Sequence, residues 1–236
     1  MNNICIIPFF NEEKRINLEY FHNIFSTNLN ISFLLINDGS TDNTLQCLID
    51  NFKLYPNVII KDNKINIGKA NTIKKGFQIS QNLNCNYVGF FDADFATPFT
   101  EFIRLLNIAQ DQNIDIVFGS RIMLYGNDII RNTYRHYLSR IIITFLNFYF
   151  NLKIYDTQCG CKVYKKTVIE IISKEVFVSK WLFDIEIFLI LKKSLSKLNM
   201  LEVPLLKWHE VPGSKIKIKD FFLIPLDLLK IVLKYK

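Results

Sequence analysis

Short apolar runs alternating with amphipathic stretches fill the first half of this chain, and no other feature constrains its fold as much. The apolar runs predict strands over residues 3–8, 32–37, 58–61, 87–92 and 114–119, and the stretches between them predict helices over 15–27, 41–52, 68–80 and 100–111. Thr41 and Thr100 stand where N-caps are expected. Such βαβ alternation implies an α/β fold whose mainly parallel sheet is covered by helices on both faces. In an open sheet of this kind ligands bind outside the carboxyl ends of the strands. The polar loops leaving Pro8, Asn37, Lys61, Phe91 and Gly119 are therefore expected to converge on one site.

The 236 residues suit one domain, and a chain that is 50% hydrophobic and only 22% charged carries enough apolar material for a core, which excludes global disorder. The second half reads differently: an aromatic and Ile-rich segment at 131–152, a polar insert at 156–161, a helix around 181–193, and a tail in which Lys alternates with Ile before turning apolar. We expect a domain over 1–215 and a basic amphipathic segment over 216–236. The most apolar stretches, 141–150 and 221–233, fall short of the ~20 residues a spanning helix needs. Pro8 and the charges from Glu12 to Arg15 argue against a signal peptide. Five scattered cysteines without a C-x-x-C pair suggest a reduced, cytosolic chain, and Cys159-x-Cys161 is tighter than zinc spacing. The net charge of +7 favours anionic partners without choosing among them.

Asp92-Ala93-Asp94 follows the apolar run at 87–91, so two carboxylates leave a strand end together. Hard oxygens so placed suit Mg²⁺ or Mn²⁺ on a diphosphate, although a solvated turn has the same composition. Asn37-Asp38-Gly39-Ser40-Thr41-Asp42 ends another strand; Gly39 allows a tight turn and Asp38 has oxygens for a base or ribose donor, or the segment is a plain capped turn. Pro8 with Asn11-Glu12-Glu13 closes the first strand in the same way. Asn66-Ile67-Gly68-Lys69 places a lysine and backbone amides at a helix start, which favours anions. Arg131, Arg135 and Ser139 lie at i, i+4 and i+8, along one side of a helix, and Arg121 comes from a strand end. They make either a phosphate cradle or a solvated basic face. The aromatics between them fit a membrane interface or a core equally well.

In order and spacing these segments together resemble the inverting nucleotide-sugar glycosyltransferases of family 2, which have the GT-A fold. Gly119-Ser120-Arg121, Asp156-Thr157-Gln158-Cys159-Gly160-Cys161-Lys162, Trp181 to Glu186, Trp208-His209-Glu210 and Gly213-Ser214-Lys215 narrow the resemblance to the polyprenyl-phosphate group, and within it to the dolichyl-phosphate glucosyltransferase type. Related mannosyl enzymes carry a Gln two residues after the second Asp, where this chain has Ala96.

The resemblance implies a UDP-hexose donor, most simply UDP-glucose, a polyprenyl phosphate acceptor, and a Mg²⁺ or Mn²⁺ ion on Asp92 and Asp94. It implies nucleotide-sugar contacts from Pro8, Asn11, Glu12, Asp38, Lys69, Asp92, His209 and Lys215. Acceptor-phosphate contacts fall to Arg121, Arg131, Arg135, Ser139 and Gln158, and the catalytic centre to Asp94, Asp156 and Asp184. Asp156 and Gln158 would line the junction of sugar and acceptor phosphate. Asp184 would orient substrate, or is a helix-surface acid beside Glu186; His209 could be a satisfied, partly buried histidine, and Trp181 and Trp208 packing residues. The enzyme would sit at the cytoplasmic face of a membrane, with the tail as a second amphipathic anchor or simply a last strand and packing helix. A homo-oligomer or membrane partner protein stays open. The rival acceptor is a saccharide hydroxyl, and a non-catalytic binder of nucleotide sugars is a third class. Nucleic-acid binding is disfavoured by the acidic loops and the lack of a recognised motif. A dinucleotide oxidoreductase is disfavoured because no G-x-G-x-x-G follows the first strand.

Overall fold

The computed structural model describes residues 2–211 and 218–236; for residue 2, 133–136, 138, 139 and 218–223 it describes the backbone alone. The five anticipated strands form as β1 (Asn2–Phe9), β2 (Ile31–Asp38), β3 (Val58–Asn63), β4 (Cys85–Phe91) and β5 (Ile116–Ser120). Between them run α1 (Leu18–Thr27), α2 (Thr44–Phe52), α3 (Lys69–Gln81) and α4 (Phe99–Asp111). The second half adds β6 (Asp128–Ile130), α5 (Thr133–Phe150), β7 (Cys161–Lys165), α6 (Lys166–Ile172), α7 (Phe183–Ser194), β8 (Met200–Pro204), β9 (Lys207–His209) and α8 (Ile218–Tyr235).

The described residues form a seven-stranded sheet in the order β3-β2-β1-β4-β7-β5-β8, with β6 and β9 making a separate parallel pair. Every neighbour in the large sheet is parallel except β7, which runs antiparallel to both β4 and β5. Strand residues alternate between faces. Ile4, Ile6, Leu34, Ile36, Val88 and Phe90 pack with α3, α6 and α7, while Cys5, Ile7, Phe9, Phe33, Leu35 and Phe91 pack with α1, α2 and α4. The strand order reverses at β1, which touches β2 on one side and β4 on the other. Such a reversal opens a crevice at the strand ends, and the loops after β1 and β4 flank it.

Several local expectations are corrected. Thr41 caps no helix: α2 starts at Thr44, whose amide and hydroxyl donate to Asp42 Oδ1 at 3.0 and 2.5 Å, while the Thr41 amide donates to Asn11. Thr100 lies inside α4, which begins at Phe99 after Pro98. The first helix starts three residues late, because the Glu12 carbonyl accepts from the amides of Arg15 and Ile16 in a turn and Asn17 then caps α1. Arg131 is not helical. Strand β6, held by β9, and the Asn132 amide donating to Glu210 at 2.6 Å keep the chain extended until Thr133.

Candidate active site

The loops after β1 and β2 hold each other. Asn11, at φ 50°, accepts from the Thr41 amide at 2.8 Å and donates its own amide to Ser40 Oγ at 3.0 Å. The Glu12 amide donates to Thr44 Oγ1 at 2.8 Å. Pro8 lies in β1 opposite Ile36, and Asn11 and Glu12 begin the loop that follows. Asp38 is buried beneath the next loop, accepting from Asn63 Nδ2 and the Ile67 amide on one oxygen and from the Gly68 amide on the other, at 3.1, 3.0 and 3.0 Å. This corrects one expectation: the Ile67 and Gly68 amides are spent on Asp38 instead of waiting for an anion. Gly39, at φ 62°, lets this turn pass so close that a Cβ there would meet the Asn66 nitrogen at 2.3 Å.

Lys69 opens α3 and reaches Asp92 Oδ1 at 2.5 Å. Burial alone would pull its amine down, but Asp92, Asp184 and Asp94 outweigh that and hold it above the ordinary lysine value. Asp94 moves the other way. Burial, and after it the like charge of Asp92, push its carboxyl up against the Ala96 amide at 3.1 Å, Lys69 and the distant Arg15. Two carboxylates two residues apart at a strand end, one of them short of compensating charge, fit a divalent cation. Among the described residues no three His, Cys, Asp or Glu side chains are placed to hold one metal ion, so further ligands would have to come from substrate oxygens or water.

Strand β7 supports this centre from below. The Asp92 amide donates to the Gly160 carbonyl at 3.1 Å, and a Cβ on Gly160 would lie 1.9 Å from Asp92 Oδ2. Lys162, fully buried, donates to the Cys159 carbonyl at 2.6 Å and to Asp184 Oδ1 at 2.7 Å, with its amine 5.0 Å from the Phe90 ring centroid. Asp184 is therefore no surface acid: α7 is buried from Phe183 to Leu191, and burial lifts the Asp184 carboxyl while Lys162 opposes.

A second, basic cluster lies at the other end of segment 156–162. Arg121 meets Asp156 in a fork, Nε to Oδ2 at 2.7 Å and Nη2 to Oδ1 at 2.9 Å, while the Arg121 amide adds a bond of 3.0 Å. Burial would raise the Asp156 carboxyl, but the Arg121 guanidinium overrides it and holds it well below the carboxylate range. Arg121 also lies over Trp208, 5.2 Å from the ring centroid, which makes Trp208 a packing platform for the guanidinium. Arg131 joins by donating to the Arg121 carbonyl at 3.2 Å; burial, then the charge of Arg121, lower its pKa. Arg121 and Arg131 thus stand together beside the Asp156 carboxylate, with Glu202 and Glu210 close by, and their guanidinium forks suit a phosphate. The Gln158 amide donates to Asp156 Oδ1 at 3.1 Å, while its side-chain amide donates to Thr157 Oγ1 at 3.5 Å.

His209 pairs with Asp128 at 2.7 Å, and its amide donates to the Ala96 carbonyl at 2.9 Å, tying β9 to the loop that carries Asp94. Lys215 and the side chains of Arg135 and Ser139 lie outside the described residues. Sequence reasoning passed over Lys162 and Glu202, the latter accepting the Tyr155 and Asp156 amides at 2.8 and 2.6 Å. The available signal was a charge within a largely apolar strand, which demands a partner when the strand is buried.

A nucleotide-diphospho-sugar transferase of the GT-A class is what this sheet and its strand-end carboxylates define. Across residues 4–172 the chain matches the family described as Glycosyl transferase family 2, and it belongs to that family as a glycosyltransferase. It is 27% identical over 247 residues to a dolichyl-phosphate beta-glucosyltransferase of Trichomonas vaginalis, spanning 98% of this chain and 73% of the relative. It is 29% identical over 255 residues to the dolichyl-phosphate beta-glucosyltransferase of Saccharomyces cerevisiae, spanning 98% and 74%. Glucosyl-3-phosphoglycerate synthase from Mycobacterium tuberculosis, solved with Mn²⁺, UDP and glucosyl-3-phosphoglycerate, superposes with a TM-score of 0.71 at 14% identity, covering 99% of this chain and 79% of that one. The same synthase has been solved with Mg²⁺ and UDP, at a TM-score of 0.72.

Proposed function

We propose that this glycosyltransferase moves glucose from UDP-glucose to a polyprenyl monophosphate, inverting the anomeric carbon, at the cytoplasmic face of a membrane. The observation that carries the reading is the pairing of two opposite charge clusters across segment 156–162: Asp92 and Asp94 with Lys69 at one end, Arg121 and Arg131 at the other. The first cluster suits a nucleotide diphosphate and its cation, the second an acceptor phosphate. The names of the relatives support the same transfer.

In this scheme Asp92 and Asp94 would hold Mg²⁺ or Mn²⁺, which would supply positive charge against the leaving diphosphate. Lys69, kept charged, offers a second cation to the same phosphates, with Pro8, Asn11, Glu12, His209 and Lys215 around the nucleotide sugar. Arg121, Arg131, Arg135, Ser139 and Gln158 hold the acceptor. Asp156 works by holding Arg121 in place. A phosphate monoester has a second pKa near 6, so the attacking oxygen is already largely ionised at pH 7 and no strong base is needed. Asp184, fixed by Lys162, orients a sugar hydroxyl. The acceptor oxygen then attacks the anomeric carbon from the face opposite the diphosphate.

Among the described residues no helix is long and apolar enough to cross a membrane. Helix α5 nevertheless exposes Tyr137, Ile141, Phe145 and Phe148 along one side, and α8 exposes Leu226, Leu229 and Leu233 between lysines. We assign these faces to the bilayer interface, with the tail as the second anchor.

Transfer of label from UDP-glucose into organic-extractable polyprenyl phosphate tests the proposal, with Mn²⁺ or Mg²⁺ present and with chelator as control. Metal-dependent label in the lipid phase, lost in Asp94→Ala, is expected. Metal-dependent UDP release with a saccharide acceptor and none with the lipid would replace it with the hydroxyl-acceptor reading.

A further inference from the structure

Helix α8 does more than cover the core. Its Asp227 reaches the loop that leads into α7, the helix carrying Asp184, and its Tyr235 reaches α7 itself. Asp227, 5% exposed, accepts on Oδ2 from the Ser179 hydroxyl at 2.8 Å and from the Lys180 amide at 3.2 Å. The same Ser179 oxygen accepts from the amide of Leu182, the residue that caps α7, at 2.8 Å. Ser179 also donates its own amide to Glu186 Oε1 at 2.7 Å, and the Tyr235 hydroxyl of α8 donates to Glu186 Oε2 at 3.0 Å. The start of α7 is thus held by a closed chain of buried bonds, Asp227 to Ser179 to Leu182, with Glu186 closing the loop one turn further on. Asp184 lies two residues after Leu182, and its Oδ1 must meet Lys162 from this helix start.

We propose that Asp227, acting through Ser179, is a positioning residue for Asp184: α8 sets the first turn of α7 and with it the carboxylate that faces the sugar. The proposal rests on the reading of Asp184 given above. A helix start left free to fray would let the Asp184 carboxylate wander, and misplacement of about 1 Å in a reacting constellation costs up to about a hundredfold in rate. Substrate affinity, set at the two charge clusters, would be spared.

The test uses the full chain and four variants. Asp227→Ala and Ser179→Ala remove the chain of bonds, Asp227→Asn keeps one oxygen for both donors, and Asp184→Asn reports on the reading beneath. Expected are a fall in kcat of about tenfold or more for the two alanine variants with both KM values within about twofold, near-normal kcat in Asp227→Asn, and faster amide hydrogen exchange at residues 182–186 in the alanine variants alone. Wild-type kcat in Asp227→Ala and Ser179→Ala, at a temperature where circular dichroism shows them folded, would overturn the proposal. So would exchange at 182–186 matching the wild type. Wild-type kcat in Asp184→Asn would instead remove the role of Asp184, and exchange would still report whether α8 holds the start of α7.

Discussion

Lys162 and Asp184 meet at 2.7 Å with the lysine completely enclosed, a buried ion pair between β7, which follows Gly160, and the first turn of α7. Taking two charges out of water is costly, and the geometry repays it only while both partners remain. Lys162→Met should therefore destabilise the chain by roughly 3–5 kcal/mol in urea unfolding. The double variant Lys162→Met with Asp184→Asn should recover much of that loss. Equal instability of the double variant would mean that Lys162 serves packing alone.

Gly160 is a second sensitive point beneath the carboxylate pair. Because a side-chain carbon there would stand 1.9 Å from Asp92 Oδ2, Gly160→Ala must push the Asp92 carboxylate aside. Affinity for Mn²⁺ in the presence of UDP, measured by titration calorimetry, should fall about tenfold or more. The circular dichroism spectrum should stay that of the wild type. Unchanged Mn²⁺ affinity would take Asp92 out of the metal shell.

Among the described residues Arg131 donates to the Arg121 carbonyl, and the Arg121 guanidinium repels it while Asp156 and Glu210 partly offset that charge. An incoming phosphate relieves that repulsion. Arg131→Ala should raise the KM for the polyprenyl phosphate about tenfold, with the KM for the nucleotide sugar nearly unchanged. A rise in the donor KM instead would move Arg131 to the other substrate.

Acid sensitivity follows from Asp156. Its pKa is lowered in the folded chain, since Arg121 outweighs the effect of burial. Stability from this pair is fully present above the unfolded carboxylate value, about pH 4, and drains away as the pH falls from there towards the lower folded value. Asp156→Asn should flatten that part of the curve of unfolding free energy against pH. It should also destabilise the chain at pH 7, where Arg121 loses its counter-charge. An unaltered acid limb would assign the loss to other carboxylates.

The exposed side of α5 carries a prediction of its own. Ile141→Glu combined with Phe148→Glu places two charges among residues that now present apolar surface. Co-sedimentation with phosphatidylserine-containing vesicles should drop, while transfer to a polyprenyl phosphate held in detergent micelles should continue. Undiminished sedimentation would place the membrane contact elsewhere.

Local pattern was enough for much of this. The five apolar runs became β1 to β5 within a few residues, because a strand buried on both faces must be apolar throughout and the helices between must show one apolar side. The acidic and glycine-bearing loops lay where the runs ended, so their convergence at the crevice could be read from order alone. The roles of individual atoms could not. Nothing in Asn37-Asp38-Gly39 says that Asp38 turns inward onto the Ile67 and Gly68 amides some thirty residues away. Nor does spacing reveal that Arg131 falls short of the helix, since β6 is extended only through its partner β9.

What the sequence determined by itself is therefore the α/β alternation, the side of the sheet on which the site lies, and the kinds of charge gathered there. Tertiary structure decided how those charges pair. Strand β7 enters antiparallel between β4 and β5, a register set by long-range hydrogen bonds and by the packing of both sheet faces, neither of which a local window contains. That one insertion puts Gly160 under Asp92, Lys162 against Asp184 and Asp156 within reach of Arg121.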